Sequence, residues 1–457
     1  MIFGAPVRED NRLYNAAIFV QDGKFVDSYF KQILPNYKEF DEKRYFEKGT
    51  KNKILSINGV SIGMSICEDI WSEDFVKRLV DEGAEIILNL SASPFTISKK
   101  ETRLKMLEDY YEKYNRPIIY VNQTGGQDEL VFDGSSLIVG LEDNNLKILN
   151  SFQTDSISLS YDKLKFISTT NEENLNPNKL DDIYDALVLG TRDYVEKNGF
   201  KGVIIGSSGG IDSALTTVIA HDALGKEKVK TVMMPFDYTS DISLEDAKSL
   251  AMNLGISHSE ISIKEMFEAF NKGLSTSFNG LKADKTEENL QSRCRGVTLM
   301  ALSNKLGYLV LTTGNKSEAA VGYSTLYGDT AGGFSVLKDV SKTLVYELAK
   351  YRNKRSVVIP QRIIDRPPSA ELAPDQKDTD SLPDYDRLDP IVEMYVEKDK
   401  SIQEIIGEGF DENEVRKIVS LIDFNEYKRR QAPLGIKISD RNFGKDRRYP
   451  ITNAWKP

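Results

Sequence analysis

A serine- and glycine-rich turn in the middle of the chain has residue types suited to holding an anion. The turn reads SSGGIDS over residues 207–213, follows the apolar run GVIIG and precedes a helical pattern. Gly209 and Gly210 permit backbone conformations that aim several N–H groups at one point. The helix predicted to begin near Asp212 adds the positive end of its dipole. These features predict a phosphate-binding loop, whose hydroxyl donors are Ser207, Ser208 and Ser213.

The acid in this turn is unusual for a phosphate loop. The Walker A pattern places a lysine after its glycines, whereas this chain has Ile211 and Asp212. A carboxylate inside an anion nest is unfavourable unless a cation lies between the two charges. We therefore predict that Asp212 binds Mg²⁺, which bridges to a polyphosphate. On the loop alone, a ligand-free Ser/Gly turn capped by an aspartate is the alternative.

Composition narrows the chemistry available to the chain. Its 457 residues predict roughly three domains, or two large ones. Two cysteines and two histidines are too few for a disulfide framework or a structural zinc site, and they disfavour a Ser-His-Asp triad. A net charge of −10 argues against a nucleic-acid partner, and no apolar run approaches the ~20 residues of a membrane helix. Because the start has no signal-peptide pattern, we predict a cytoplasmic protein.

The pattern of apolar runs changes part-way along the chain. Short β-branched runs in the first part predict a sheet, interrupted by helices near residues 72–82 and 99–114. Strands and helices then alternate, which predicts a doubly wound parallel sheet with helices on both faces. In one of these helices, Ser243 and Asp246 predict a capping box and Gly255 the exit. The predicted domains are 1–167 and 181–457, joined by a polar linker over 168–180.

Longer motifs around the loop resemble a known family. S-G-G-x-D-S is the fingerprint of the ATP-pyrophosphatase loop, found in enzymes that split ATP into AMP and pyrophosphate. Downstream stand TTGNKSEAAVGYSTLYGDTAGGFSVLKDVSKTLVYELA, DRPPSAELAPDQKDTDSLPDYDRLD and YKRRQAPLGIKISDRNFGKDRRYPIT. Together these segments resemble the glutamine-dependent NAD⁺ synthetases, a ligase family, over nearly the whole chain. The resemblance implies that ATP adenylylates the nicotinate carboxylate of deamido-NAD and that amidation then gives NAD⁺, the last step of NAD biosynthesis.

The resemblance also implies roles for particular residues of the second half. Asp212 and Glu318 would be the two Mg²⁺ ligands, and Asp329 is a further site member. Taken alone, Glu318 is a solvated acid at a helix start and Lys428 is one more surface base. The implied ATP-binding residues are Gly206, Ser207, Ser208, Gly209, Gly210, Ile211, Asp212, Ser213 and Thr313. The implied deamido-NAD-binding residues are Asn289, Glu318, Tyr323, Ser324, Thr325, Leu326 and Lys428.

Two segments of the first half, YFKQILPNYKEFDEKRYF and GVSIGMSICEDIWSEDF, resemble the nitrilase-type glutaminases. That family uses a Glu-Lys-Cys triad, so the resemblance makes Cys67 the nucleophile that attacks the glutamine carboxamide. Lys31 would stabilise the oxyanion and help to lower the pKa of the thiol. By its sequence context alone, Cys67 is an inert core cysteine. The implied glutamine-binding residues are Tyr37, Glu68, Ser93 and Lys99, the last where the family often has Arg.

The resemblance also carries an expectation about the nitrogen donor. The family's general-base Glu precedes the stretch that matches residues 4–17, which implies an N-terminally truncated chain. Such a chain is expected to use free ammonia and to hydrolyse glutamine poorly. The implied fold is α/β: a partial nitrilase-like α-β-β-α sandwich followed by a Rossmann-like sheet of the adenine nucleotide alpha hydrolase type, in a homo-oligomer.

Two other interpretations stay open. Another ATP-pyrophosphatase-loop enzyme, such as GMP synthetase or a tRNA-thiolating enzyme, would share the loop. The acidic composition disfavours tRNA as a substrate, and the nitrilase-like half disfavours GMP synthetase. An inactive scaffold fragment is the second alternative, which the retained Asp212 and Glu318 disfavour. Release of pyrophosphate from ATP and deamido-NAD would separate the three.

Overall fold

The structure is a computed structural model that describes residues 1–141, 146–162, 165–168, 178–373, 376, 378–380, 382–452 and 454–455. The chain divides into two compact units: unit 1 comprises Met1–Gly125 and Val131–Asp182, and unit 2 comprises Gly126–Leu130 and Ile183–Pro457. Of the predicted linker 168–180, residues 169–177 lie outside the described residues, and a helix begins at Lys179. In the part described, no helix combines the length and apolar character needed to cross a membrane.

Unit 1 alternates short strands with three helices, and a 3₁₀ turn (Cys67–Trp71) follows its fifth strand. The strands are β1 (Ile2–Glu9), β2 (Arg12–Gln21), β3 (Lys24–Phe30), β4 (Ile54–Ile57), β5 (Val60–Ile66), β6 (Ile86–Ser91), β7 (Ile118–Asn122), β8 (Thr124–Gln127), β9 (Leu130–Asp133), β10 (Leu137–Val139), β11 (Leu146–Ile148), β12 (Leu159–Asp162) and β13 (Lys165–Ser168). The helices are α1 (Glu42–Tyr45), α2 (Glu73–Asp81) and α3 (Lys99–Tyr114). The helices predicted near residues 72–82 and 99–114 are α2 and α3.

The main sheet of unit 1 has the strand order β11-β10-β7-β6-β5-β4. Its central strands β5, β6 and β7 are parallel, and the outer strands are antiparallel to their neighbours. A second sheet, β1-β2-β3, is antiparallel throughout. One buried cluster joins both sheets with α2 and α3, and it includes Tyr29, Met64, Leu79 and Leu107. This layering of sheets and helices is the nitrilase-like fold that the sequence predicted.

The parallel strands bring three polar residues to one edge of the main sheet. Cys67 directly follows β5, Ser93 lies two residues beyond β6, and Asn122 ends β7. The carboxyl ends of these strands coincide because Ser91 pairs with Asn122 across the β6–β7 ladder. Parallel strands collect the residues that follow them at the same edge. This edge is therefore where unit 1 can assemble a site.

Unit 2 alternates strands with helices and then continues as a helical tail. Its strands are β14 (Val203–Ser207), β15 (Val229–Met233), β16 (Ser257–Glu260), β17 (Leu309–Thr312) and β18 (Phe334–Ser335). Its helices are α4 (Lys179–Lys197), α5 (Ile211–Leu224), α6 (Asp241–Leu254), α7 (Lys264–Phe278), α8 (Lys285–Leu306), α9 (Lys316–Val321), α10 (Lys342–Arg355), α11 (Gln361–Asp365), α12 (Tyr385–Val392), α13 (Ile402–Gly407), α14 (Glu412–Phe424) and α15 (Glu426–Arg429), with a π-helical turn (Glu393–Glu397) after α12.

The sheet of unit 2 is parallel and has the order β16-β15-β14-β17-β18. The predicted doubly wound sheet is thus confirmed. The chain moves outward from β14 in one direction and returns to add β17 on the other side. In such sheets ligands bind at the carboxyl ends of the strands, at the point where the direction reverses. The loop that follows β14 is at this point. Sequence analysis missed the helices α4, α7 and α10 and the two-residue β18.

One predicted helix start is wrong. Helix α6 begins at Asp241, and its N-cap is Ser240, whose hydroxyl accepts a hydrogen bond from the Ser243 N–H at 3.2 Å. Ser243 and Asp246 both lie inside the helix and are buried. Tertiary partners occupy them instead, because the Arg362 guanidinium binds the Asp246 carboxylate at 2.8 Å. The exit at Gly255 is confirmed by its left-handed backbone, with φ of 64°.

Candidate active sites of the two units

The loop after β14 is organised by its own side chains. Gly209 has a φ of +75°, and a Cβ at this position would lie 2.4 Å from the Ser243 carbonyl oxygen. Only glycine fits both the backbone conformation and the space. The Ser213 hydroxyl donates to the Gly210 carbonyl at 3.0 Å and accepts from the Ser208 N–H at 3.2 Å. These bonds shape the turn that leads into α5.

A cavity of about 310 Å³ opens beside this loop. Most of the residues predicted for ATP and deamido-NAD line it, although they come from distant parts of unit 2. The predicted residues on its walls are Gly206, Ser207, Ser208, Gly209, Gly210, Ile211, Asp212, Ser213, Thr313, Glu318, Tyr323, Ser324, Asp329 and Lys428. Lys428 also donates to the carbonyl oxygens of Gly322 and Ser324, both at 2.8 Å.

Three predicted residues, Asn289, Thr325 and Leu326, do not line the cavity. The Thr325 hydroxyl donates to Asn289 Oδ1 at 2.8 Å, and the Thr325 N–H donates to Asp329 Oδ1 at 2.8 Å. The Leu326 carbonyl accepts from Arg293 Nε at 3.2 Å. Asn289 and Thr325 therefore brace the segment that carries Asp329. Leu326 is fixed through its main chain.

A buried lysine joins the two predicted metal ligands. Lys342 Nζ lies 2.5 Å from Asp212 Oδ2 and 3.3 Å from Glu318 Oε1. Asn315 Nδ2 donates to the other oxygen of Asp212 at 2.8 Å. The carboxylate in the phosphate loop is thus neutralised by a side chain of the protein itself. Sequence analysis missed Lys342. Its one signal is its place in the first turn of α10, where the helix dipole disfavours a cation.

Burial and charge both act on these groups. Burial raises the pKa of Glu318 to about 8, with Asp212 acting in the same direction and Lys342 opposing it. Burial alone would lower the pKa of Lys342, but Asp212 and Glu318 outweigh it and hold that pKa well above its usual value. Lys342 therefore stays charged at neutral pH. It is a permanent cation between two acids.

The donor set suits a hard divalent cation carried by a polyphosphate. Asp212 and Glu318 both contact Lys342 Nζ, so their carboxyl groups lie close together, and carboxylate oxygens are ligands that Mg²⁺ prefers. Among the described residues, no group of three or more His, Cys, Asp or Glu could hold a metal ion. The protein can thus supply two carboxylates, and phosphate and water would complete the shell. On these grounds the residues fit Mg²⁺.

Several further cations line the cavity that sequence analysis did not single out. Arg366 binds Glu371 at 2.6 Å, and Glu371 also accepts from the hydroxyls of Ser240 and Ser243 at 3.0 and 2.9 Å. Burial lowers the pKa of Arg295 to about 10, which still leaves it charged at neutral pH. In the sequence, these residues share only their positive charge, and that feature is too common to identify them as site residues. The others are Lys338, Lys342 and Arg429.

The site of unit 1 centres on a cysteine with an uncommon backbone. Cys67 is 8% exposed and has a φ of +46°. Non-glycine residues rarely adopt this left-handed conformation, and those that do cluster at functional sites. The Cys67 carbonyl accepts from Asn89 Nδ2 at 3.4 Å. The strand-to-turn junction thus presents the thiol at the edge where Ser93 also lies.

Lys31 belongs to the same site and has a carboxylate partner. Its side chain is 1% exposed, and Nζ lies 2.5 Å from Glu42 Oε1. Burial raises the pKa of Cys67; Lys31 opposes that rise, whereas Glu68 and Glu42 add to it. Lys31 therefore acts on the thiol in the predicted direction, but burial outweighs it. Sequence analysis missed Glu42, which is one of several acids in a charged stretch.

The predicted glutamine-binding residues make three separate sets of contacts. The Tyr37 hydroxyl donates to Glu68 Oε1 at 2.7 Å, and Tyr37 is half-exposed. Lys99 Nζ lies 4.0 Å from the centroid of the Trp71 ring, and burial lowers the Lys99 pKa, with Arg103 adding to the effect. Ser93 is buried and bonds through its main chain.

Comparison with known proteins settles the family. A carbon-nitrogen hydrolase model matches residues 1–161, and an NAD synthase model matches residues 183–432. An Acinetobacter baylyi protein named glutamine-dependent NAD(+) synthetase is 49% identical over 464 residues, covering 100% of this chain and 85% of that relative. The chain belongs to the glutamine-dependent NAD(+) synthetase family.

Other members of the glutamine-dependent NAD(+) synthetase family agree in sequence and in fold. A Thermotoga maritima protein of that name is 44% identical, over 98% of this chain and 84% of its own length. The Acinetobacter baumannii enzyme, solved in complex with ADP, is 45% identical and superposes with a TM-score of 0.77, over 99% of this chain and 84% of that one. The Cytophaga hutchinsonii enzyme, 23% identical, shares the fold with a TM-score of 0.81, over 99% of this chain and 84% of that one.

Proposed function

We propose that this chain converts deamido-NAD⁺ to NAD⁺ in an ATP-dependent amidation that releases AMP and pyrophosphate. The observation that carries the proposal is the convergence of Asp212, Glu318 and Lys342 beside a glycine-shaped phosphate loop at the switch point of a parallel sheet. This arrangement supports the proposal because two acids and a fixed cation lie beside the loop that we propose binds the triphosphate. Membership of the family supports the same reaction.

The first step joins the two substrates. The nicotinate carboxylate of deamido-NAD⁺ attacks the α-phosphorus of ATP, the bond to the bridging oxygen breaks, and pyrophosphate leaves. The loop N–H groups and Lys342 stabilise the charge that collects on the departing pyrophosphate. Asp212 and Glu318 would hold Mg²⁺, which supplies further charge neutralisation. Tyr323, Ser324 and Lys428 are proposed to orient deamido-NAD⁺ on the opposite wall.

The second step uses ammonia. Ammonia attacks the carbonyl carbon of the acyl-adenylate, AMP leaves with the bonding pair, and the nitrogen loses a proton to give the amide. We propose that free ammonia is the main source for this chain and that unit 1 hydrolyses glutamine poorly, in a reaction that begins when the Cys67 thiolate attacks the carboxamide carbon. Lys31 stabilises the oxyanion, the amide nitrogen leaves protonated as ammonia, and water releases glutamate from the thioester. Free ammonia serves unit 2 directly.

A donor-resolved assay tests the proposal. The purified chain is mixed with ATP, Mg²⁺, deamido-NAD⁺ and either ammonium chloride or glutamine, and pyrophosphate and NAD⁺ are measured together. We expect equal amounts of both products, and we expect Asp212→Ala to abolish them. Asp386→Ala, which changes an exposed acid in the first turn of α12, is the matched control. Pyrophosphate release that does not require deamido-NAD⁺ would overturn the assignment.

A further inference from the structure

The main chain of Ser93 is held by one amide side chain. The Ser93 N–H donates to Asn122 Oδ1 at 2.9 Å, and Asn122 Nδ2 donates back to the Ser93 carbonyl at 3.2 Å. The two bonds form a ring like a short stretch of β-ladder. Ser93 and Asn122 are both buried. The position of Ser93 therefore depends on which way the Asn122 amide points.

A carboxylate fixes the orientation of that amide. Asn122 Nδ2 also donates to Asp133 Oδ1 at 3.2 Å, and Asp133 is 1% exposed. A carboxylate accepts hydrogen bonds and does not donate them, so the NH₂ group must face Asp133 and the carbonyl must face the Ser93 N–H. The Asn122 N–H donates to the Ser136 hydroxyl at 3.0 Å, which holds the main chain of Asn122 as well.

A buried guanidinium balances the charge of the carboxylate. Arg103 is fully buried, and its Nη2 donates to Asp133 Oδ2. Arg103 lies on α3 one helical turn after Lys99, whose ammonium contacts the Trp71 ring. The same helix thus carries a predicted glutamine-binding residue and the outer end of this chain of bonds. The series runs from Arg103 through Asp133 and Asn122 to Ser93.

We propose that Arg103, Asp133 and Asn122 are positioning residues that set the Ser93 main chain for binding glutamine beside Cys67. The inference rests on the proposed glutaminase function of unit 1. A role in packing alone would be met as well by apolar side chains, because a buried ion pair often adds little or no stability over hydrophobic residues of similar volume. Charged groups at the sheet edge that presents the nucleophile are better explained by the orientation they impose.

Protection of Cys67 from alkylation measures glutamine binding without requiring turnover. The full chain is treated with iodoacetamide at increasing glutamine concentrations, and modification of the Cys67 peptide is followed by mass spectrometry. We expect Asn122→Leu and Arg103→Met to raise the half-protecting glutamine concentration by roughly tenfold or more. Arg103→Lys, which keeps the charge, should recover part of the loss. The control is Arg116→Met: Arg116 donates to the Ala84 carbonyl at 3.0 Å and precedes the opposite end of β7.

Two further readouts separate positioning from folding. The melting temperature and the rate of Cys67 alkylation without glutamine should change little in Arg103→Lys and in Asn122→Ser. The Asn122→Ser variant replaces Asn122→Leu in the protection assay if Asn122→Leu does not fold. The inference is overturned if Asn122 variants that fold keep the parental half-protecting concentration, or if glutamine does not protect the parent chain. NAD⁺ formation from ammonium reports on unit 2, so a failure of the amidation proposal is seen separately.

Discussion

Lys342 resolves the charge conflict that Asp212 creates in the phosphate loop. An aspartate there repels phosphate unless a cation lies between them, and the sequence suggests only a metal for that role. The structure supplies an ammonium 2.5 Å from the carboxylate, and the same ammonium reaches Glu318. In the proposed reaction, the two acids would present Lys342 to the phosphates in addition to holding Mg²⁺. Positive charge in this site is therefore partly built into the chain.

Removing the ammonium tests this inference. We expect Lys342→Met to lower ammonium-driven NAD⁺ formation by roughly 10²–10³-fold, because a fixed charge that stabilises the departing pyrophosphate is lost. Lys350→Met, at an exposed position on the same helix, should behave like the parent chain. Initial rates at saturating Mg²⁺ make the comparison. Equal rates for Lys342→Met and the parent would show that the lysine serves stability alone.

The reactivity of Cys67 should depend on pH in a direction that burial sets. Burial raises the pKa of this thiol, Lys31 opposes the rise, and Glu68 adds to it. Only the thiolate reacts, and its fraction falls about tenfold for each pH unit below the pKa. We therefore expect the alkylation profile to lie at higher pH than that of a free cysteine. Lys31→Met should move it further up, and Glu68→Gln should move it down.

Rates of Cys67 modification between pH 6 and 10, resolved by peptide to exclude Cys294, provide the measurement. A shift of both variants in one direction would contradict this account.

At the scale of elements, the loop between β14 and α5 is shaped by its contact with α6. The left-handed Gly209 lies against the main chain of Ser243, and Ser243 also bonds Glu371 through its hydroxyl at 2.9 Å. The phosphate loop, the start of α6 and the segment carrying Glu371 therefore support one another. This coupling explains why Ser243 is buried rather than capping a helix.

Two neighbouring glycines offer a matched test of this packing. Gly209→Ala places a Cβ 2.4 Å from the Ser243 oxygen at a φ of +75°, whereas Gly210 has a negative φ and its nearest neighbour would be Ser208 Oγ at 3.3 Å. We expect Gly209→Ala to destabilise unit 2 by about 2 kcal/mol or more, and Gly210→Ala to cost less. Thermal unfolding without nucleotide measures the difference. Equal melting temperatures for the two variants would show that the loop yields easily.

At the scale of the whole molecule, two chemistries are assigned to two units. The proposed amidation uses residues of unit 2 alone, and the proposed glutamine hydrolysis uses residues of unit 1 alone. Each unit places its site at the carboxyl ends of parallel strands, where the following loops meet. The two proposed reactions share only the nitrogen, which the first releases as ammonia and the second consumes. Their requirements can therefore be separated by the donor supplied.

Cys67→Ala tests this division. We expect it to leave NAD⁺ formation from ammonium unchanged and to remove any formation driven by glutamine, because the nucleophile of unit 1 is lost. Asp212→Ala should abolish formation from both donors. NAD⁺ is measured with each donor in turn, and Cys294→Ala controls for the loss of a thiol. Loss of ammonium-driven formation in Cys67→Ala would contradict the division.

The confirmed predictions share one physical basis. The parallel sheet of unit 2, helices α2 and α3, and the start of α5 after Ser207 follow from local patterns of apolar residues, caps and glycines. The capping box at Ser243 is wrong because the same S-x-x-D/S spacing occurs at Ser240, and burial decides between the two. Helices α4, α7 and α10 were missed for no single reason of burial, because α7 has no buried residue whereas α4 and α10 each have several. Local sequence patterns predict a structural feature well when that feature depends on one helix, strand or turn alone.

By itself, the sequence determined the family and the alternation of strands and helices that builds the parallel sheet of unit 2, and it predicted the residues of the phosphate loop. These depend on neighbours along the chain or on motifs long enough to be distinctive. Only the tertiary structure decided that Lys342 joins Asp212 to Glu318, that Glu42 pairs with Lys31, and that hydrogen bonds link Arg103 to Ser93 through two intermediates. Each of these contacts links segments far apart in the chain. A charged residue carries no local mark of the partner it will meet, because that choice is made by burial and distance after the elements have packed.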